Sequence, residues 1–183
     1  MPKTTNRKDH ILQTALKLFA MRGYGSTTTR MIAGSAKVSL GLLYNYYKNK
    51  EDLLREIVNR GFTDIKESMK IYDSLSLSPE QAIEIHVAKT FEIIRSHSEF
   101  WRLLHTIRLQ EKVAKPMKDV FTEIIKYITR VFTNVFKHLG YKSPDLEALL
   151  FLSQIDGVVL LYLQDPSTPL DKLGKQIIQR YKK

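Results

Sequence analysis

Between Thr27 and Leu53 the chain reads TTTRMIAGSAKVSLGLLYNYYKNKEDL, and it gathers groups suited to recognition more than to bond-breaking. Arg30 carries a planar guanidinium that can meet a guanine edge with two parallel hydrogen bonds. The phenols of Tyr44 and Tyr46 and the ammonium groups of Lys37, Lys48 and Lys50 suit phosphate oxygens. Leu40 and Leu42 can offer only apolar contact, for instance to thymine methyl groups. Gly41 stands between them, in the first turn of a short helix, where it costs about 1 kcal/mol against Ala. A purely structural helix gains nothing from that glycine, but a backbone that must approach another molecule closely does. The chain has no cysteine, so disulfides, thiolate nucleophiles and Cys-bound metals are excluded. Its five histidines come without a clustered carboxylate set, so no metal site and no cofactor are expected. His86 or His105 acting as a general base would need a convergent second group, and no nucleophile motif supplies one. An enzyme is not expected.

Two short helices and a tight turn must position these groups. Thr27 or Thr28 can cap a first helix whose Met31, Ile32 and Ala36 recur at helical spacing. Ala36, Lys37 and Val38 form the turn, and Ser39 is placed to cap a second helix from Leu40 to Tyr47. Leu43 faces the core with Val38 and part of Tyr47; Leu40, Gly41, Leu42 and Tyr44 fall towards the free side. Helix, short turn, helix is the helix-turn-helix arrangement, whose second helix lies in a DNA major groove.

Charge agrees with that placement. Residues 1–50 hold nine Lys/Arg against one acid, Asp9, while residues 51–183 hold twenty against eighteen. A basic head on a nearly balanced body is an electrostatic footprint of nucleic-acid binding. The polar N-terminus has no apolar run behind it, and the longest apolar stretch, Leu149 to Leu163, is about fifteen residues, short for a bilayer span. A cytoplasmic protein with no membrane partner is expected.

The head resembles the TetR family of bacterial transcriptional repressors. The resemblance rests on Arg7, Ile11, Leu12, Ala15, Leu16, Phe19, Gly23, Tyr24, Thr27, Thr28, Ile32, Ala33, Ala36, Val38, Ser39, Gly41, Leu43, Tyr44, Tyr46, Tyr47, Lys50, Glu51 and Leu53. Lys37 departs from it, since the family usually has glycine in the turn, and Tyr47 stands where Phe is commoner. The resemblance implies that Arg30, Leu40, Gly41 and Leu42 approach base edges. It implies that Thr28, Tyr44, Tyr46 and Lys50 bind phosphates, with Ser39 and Lys48 nearby. Beyond about residue 50 only the helical layout is similar.

The remaining elements are all helical. Helix 1 is expected from about Asn6 to Met21, ended by Gly23, with Arg7 and Lys8 at its start either solvated or touching phosphate. Helix 4 is expected from Asn49 to about Tyr72, followed by a polar break from Ser74 to Ser78. Ser78-Pro79, Ser143-Pro144 and Thr168-Pro169 each read as a hydroxyl cap with Pro at the first helical position. Helices are expected over 79–96, 98–110, 115–139, 144–164 and 169–182, making about nine in an all-α chain. Residues 1–48 form the DNA-binding domain and 49–183 a ligand-binding and dimerisation domain.

The helix over 144–164 is apolar nearly all round, so it is either a core helix or a subunit interface. The resemblance favours a homodimer joined through the last two helices, with Leu150, Ile155, Val158, Leu161, Tyr162, Ile177 and Tyr181 at the interface. Two-fold symmetry would set two recognition helices on a palindromic operator in double-stranded DNA. The family's bodies act as receptors for a small molecule that releases DNA. Polar or aromatic groups on apolar faces are the candidates to line such a site: His86, Thr90, Trp101, His105, Arg108, Tyr127 and Gln154. Their chemistry suits a hydrophobic or anionic effector. The competing reading is a constitutive regulator, or one gated by a protein partner, with no effector.

Overall fold

The computed structural model describes residues 4–69 and 77–182, so Tyr72 and Ser74, at the expected end of helix 4 and the start of the break, lie outside the described residues. Among the described residues there are nine helices longer than one turn, and no strand. They are α1 Thr4–Arg22, α2 Thr29–Ser35, α3 Leu40–Tyr46, α4 Lys50–Met69, α5 Pro79–Ser96, α6 Ser98–Arg108, α7 Lys118–His138, α8 Pro144–Gln164 and α9 Leu170–Tyr181.

The boundaries follow from local chemistry. Gly23 and Gly140 take φ of 81° and 76°, a left-handed conformation that closes α1 and α7 at little steric cost. At α5 the capping box is complete: Ser78 Oγ accepts from Gln81 N at 3.2 Å, and Gln81 Oε1 accepts from Ser78 N at 2.9 Å. Asn49 Oδ1 likewise accepts from Asp52 N at 2.8 Å, anchoring the start of α4. Two expected starts differ. The segment from 115 is not yet α-helix: a single turn, Glu111–Ala114, passes into a 3-10 turn, Lys115–Met117, and α7 begins at Lys118. Pro116 has no N–H to give to an α-helical bond there. In the last helix Pro169 is the cap residue instead of the first helical one, because Thr168 spends its hydroxyl on the Asp165 carbonyl at 2.7 Å. Ser143 also makes no side-chain cap bond.

The chain divides into two compact units, Met1–Thr63 with Glu99–Lys118, and Asp64–Ser98 with Asp119–Lys183. In the first, Ile11, Leu12, Ala15 and Phe19 of α1 are buried with Ile32 and Ala33 of α2, Leu43 of α3, and Leu53, Leu54, Ile57 and Val58 of α4. Two ion pairs latch α4 to α1: Arg60 to Asp9 at 2.6 Å and Lys8 to Glu56 at 3.9 Å.

The second unit is built on aromatic stacking. The His86 ring lies 4.5 Å from Phe132 and 5.9 Å from Phe151, and Phe136, Phe151 and Tyr181 meet edge-on or tilted at 5.1–5.7 Å. α8, at 21 residues, is by length and composition apolar enough to cross a membrane, which its central apolar stretch alone is not. Its faces explain that composition. Ala148, Phe151, Ile155, Val159 and Leu163 are buried in the unit, while Leu146, Leu149, Leu150, Leu160 and Leu161 on the other side are exposed.

Candidate nucleic-acid interface

The head is assembled from short helices whose ends are tied by side chains. Thr28, not Thr27, caps α2, its Oγ1 accepting from Met31 N at 3.2 Å. Thr27 is fully buried and donates to the Gly23 carbonyl at 2.9 Å. The turn closes through Val38 N to the Ala33 carbonyl at 3.0 Å and Lys37 N to the Gly34 carbonyl at 3.1 Å. Lys37 takes φ 54°, the sole positive φ at a non-glycine among the described residues. A side chain there costs about 1–2 kcal/mol. Ser39 Oγ then accepts from Leu42 N at 3.1 Å to start α3. Thr28 and Ser39 each accept from backbone in these caps, which leaves each O–H to donate outward.

Two buried residues hold α3 in place. Leu43 has no exposure, and Tyr47 is 4% exposed. Burial above all pushes the Tyr47 phenol up to about 12, so it stays a donor, and it donates to the Lys8 carbonyl at 3.4 Å. The end of α3 is thereby fastened to α1.

Of the residues expected at DNA, Thr28, Arg30, Ser39, Gly41, Tyr44 and Lys48 are exposed, and Leu40, Leu42, Tyr46 and Lys50 are half-buried. All ten belong to the same compact unit. Their polar groups are not equally available. Tyr44 Oη shares a hydrogen bond with Thr29 Oγ1 at 3.1 Å, which joins the middle of α3 to α2. Lys50 Nζ donates to the Tyr24 carbonyl at 2.7 Å and sits 4.2 Å from the centre of the Tyr24 ring, and partial burial lowers its pKa. Lys50 therefore braces the loop after α1. Arg30 makes no ion pair among the described residues, and nothing occupies the space a side chain at Gly41 would take. One exposed residue that the sequence reading passed over is Asn45. Counting helical turns from the inward Leu43 would have found it.

The residues expected at a subunit interface separate into two groups. Leu150 and Leu161 are more than half exposed, and Val158 and Tyr162 are half-buried beside them. Ile155, Ile177 and Tyr181 are interior to the protomer's own second unit, where Tyr181 Oη accepts from Gln154 Nε2 at 2.9 Å. The candidates for an effector site are also divided. Trp101, His105 and Arg108 lie in the first unit; His86, Thr90, Tyr127 and Gln154 lie in the second. His86 is packed against phenylalanines, and burial lowers its pKa to about 4, so it is a neutral core ring. Tyr127 lies under the Arg130 guanidinium at 5.5 Å. The Trp101 indole N–H is buried with no hydrogen-bond partner among the described residues. No group of His and carboxylates able to hold a metal occurs among the described residues.

Comparison with known proteins decides the family. The N-terminal signature of the "Bacterial regulatory proteins, tetR family" matches residues 11–57, from the core face of α1 through α2, the turn and α3 into α4. The head of the chain is a tetR-family head. The chain's curated relatives carry the same assignment to transcription. It is 28% identical to the uncharacterized HTH-type transcriptional regulator YuxN of Bacillus subtilis (strain 168) over 84% of this chain and 53% of that one, so it spans about half that relative's length. It is 27% identical to the HTH-type transcriptional repressor KstR2 of Mycobacterium tuberculosis over 98% of this chain and 90% of KstR2. Among solved structures, one described as a SmeT–triclosan complex superposes with a TM-score of 0.76 at 17% identity, covering 96% of this chain and 90% of that one. That likeness shows the fold. The tetR-family head thus accounts for the basic N-terminal segment, and the all-helical body for the remainder.

Proposed function

We propose that this tetR-family protein is a sequence-specific, homodimeric repressor that holds a palindromic operator and is released from it by a small molecule. The observation that carries the reading is the free face of α3. Gly41 opens its centre, Leu40 and Leu42 flank it, and Arg30, Tyr44, Lys48 and the cap hydroxyls of Thr28 and Ser39 surround it. Groups of the kinds that read bases and hold phosphates are thereby exposed in the one compact unit that holds this fastened helix. Residues 1–48 act as the DNA-binding domain and 49–183 as the body.

The second protomer covers the exposed stripe of α8, from Leu146 through Leu149, Leu150, Leu160 and Leu161, since a water-facing row of leucines marks a contact surface. Repression is supported by KstR2, a named repressor that aligns over nearly the whole chain. The effector is supported by the triclosan complex among the similar structures and by the orphan indole N–H of Trp101, a donor suited to an acceptor on a ligand. A largely apolar molecule carrying an acceptor group fits that chemistry. The effector must bind the DNA-incompetent state more tightly than the competent one. The location is the cytoplasm.

Selection of bound duplexes from a random pool tests the reading. Inverted repeats with half-sites one helical turn apart are expected among the survivors. A pool enriched in no motif, with only salt-sensitive general binding, would defeat it.

A further inference from the structure

We infer that Asn45 is a direct reader of sequence, making paired hydrogen bonds to an adenine in each half-site. The inference rests on the reading of α3 as the recognition helix and adds a residue to it.

Leu43 is fully buried and so marks the inward direction of α3. With about 100° between successive residues, Gly41 and Asn45 each lie about 160° from Leu43. They are one turn apart on the same outward line, and both are exposed. Tyr44 and Leu42 stand to either side of that line. A Cβ built on Gly41 would meet nothing within 4 Å, so no neighbour inside the protein requires glycine there. The vacancy faces outward, along the line on which α3 would enter a groove.

Helical side chains lean towards the N-terminal turn, so Asn45 covers the surface over Gly41. The missing side chain at 41 leaves room for the Asn45 amide beside the most deeply inserted backbone. Among the described residues this amide has no hydrogen-bond partner, and in the last turn of α3 it caps neither end, since Ser39 supplies the N-cap and the Tyr47 backbone closes the C-terminus. Two polar groups nearby are held by other parts of the head: Tyr44 shares a hydrogen bond with Thr29, and Lys50 donates to the Tyr24 carbonyl. Asn45 keeps a carbonyl acceptor and an amino donor side by side, the pair that matches the amino group and ring nitrogen on the major-groove edge of adenine.

The test repeats the duplex selection with wild-type protein, Asn45→Ala and Asn45→Gln. A second arm measures wild-type and Asn45→Ala affinity for the selected duplex with a deazaadenine at the preferred adenine. The expected result is a wild-type inverted repeat with one fixed adenine per half-site. Asn45→Ala then loses roughly 10-fold discrimination at that column alone, with the other columns unchanged. Deazaadenine should weaken the wild type about as much, and should leave Asn45→Ala untouched. Asn45 is exposed, so an unchanged thermal midpoint in the variants is the folding control. If the wild type selects an inverted repeat and both variants select the same motif in every column, Asn45 is no reader and the operator reading stands. If the wild type selects no inverted repeat, the operator reading and this inference fall together.

Discussion

The ring of Phe100 occupies the place where a side chain at position 61 would be. A Cβ built on Gly61 would overlap the ring, standing 2.7 Å even from Cε1, the third-nearest of its atoms. Phe100 is itself 7% exposed, and Phe62 meets it edge-on at 6.3 Å, so the ring has little room to withdraw. α6 is thereby seated on α4 within the unit that carries the DNA-binding head.

Gly61→Ala should for that reason destabilise the protein. In an open helix the change would gain up to about 1 kcal/mol. Here overpacking costs typically 1–3 kcal/mol, and a net loss of about 1 kcal/mol is expected. Urea unfolding of Gly61→Ala, Phe100→Leu and the double variant checks it. The double variant should recover part of the loss, because the smaller side chain yields the space.

Lys37→Gly should stabilise the head by up to about 1 kcal/mol. The residue sits at φ 54°, where glycine escapes the strain that Lys bears, less the entropy glycine brings to the unfolded chain. Thermal unfolding measures the gain. The variant's selected DNA motif should be unchanged, since Lys37 is not among the residues proposed to read bases.

Stability should fall as pH drops from about 6.5 towards 4. Burial lowers His86 to about 4, while in the unfolded chain it titrates near the ordinary histidine value of 6.5. Its contribution is therefore fully present above pH 6.5 and is lost as the unfolded state takes up the proton that the folded core refuses. The full effect is roughly 3 kcal/mol at pH 4. Urea midpoints across that window, compared with His86→Leu, should show the extra pH dependence in the parent only.

Leu150→Glu and Leu161→Glu should yield folded monomers by sedimentation, because both side chains are exposed on the protomer. Ile155→Glu should instead unfold the body, since Ile155 is 4% exposed in the protomer's own core. Dimers that survive both leucine changes would place the interface away from this stripe.

These contrasts show what was legible in the sequence. Helix positions were, because caps and breakers act locally: Ser78 with Gln81, Asn49 with Asp52, and Gly23 and Gly140 do in the fold what their types suggest. The head was legible because its spacing leaves few arrangements. The faces of α8 were not. A helix apolar on every side gives periodicity nothing to resolve, so inward Ile155 and outward Leu161 look alike in sequence. His86 was misleading for a related reason. A histidine on an apolar face suggests a ligand contact, and only neighbours distant in sequence, Phe132 and Phe151, show it packed in the core. Asn45 was passed over because attention to residue type favoured Arg, Lys and Tyr over position on the helix.

The most direct test of the account is fluorescence anisotropy with a selected operator duplex, intact and with one half-site scrambled. Two protomers are expected on the intact duplex, with a large loss of affinity on scrambling either half. Binding that is indifferent to the scrambled half-site, or one protomer per duplex, would contradict it.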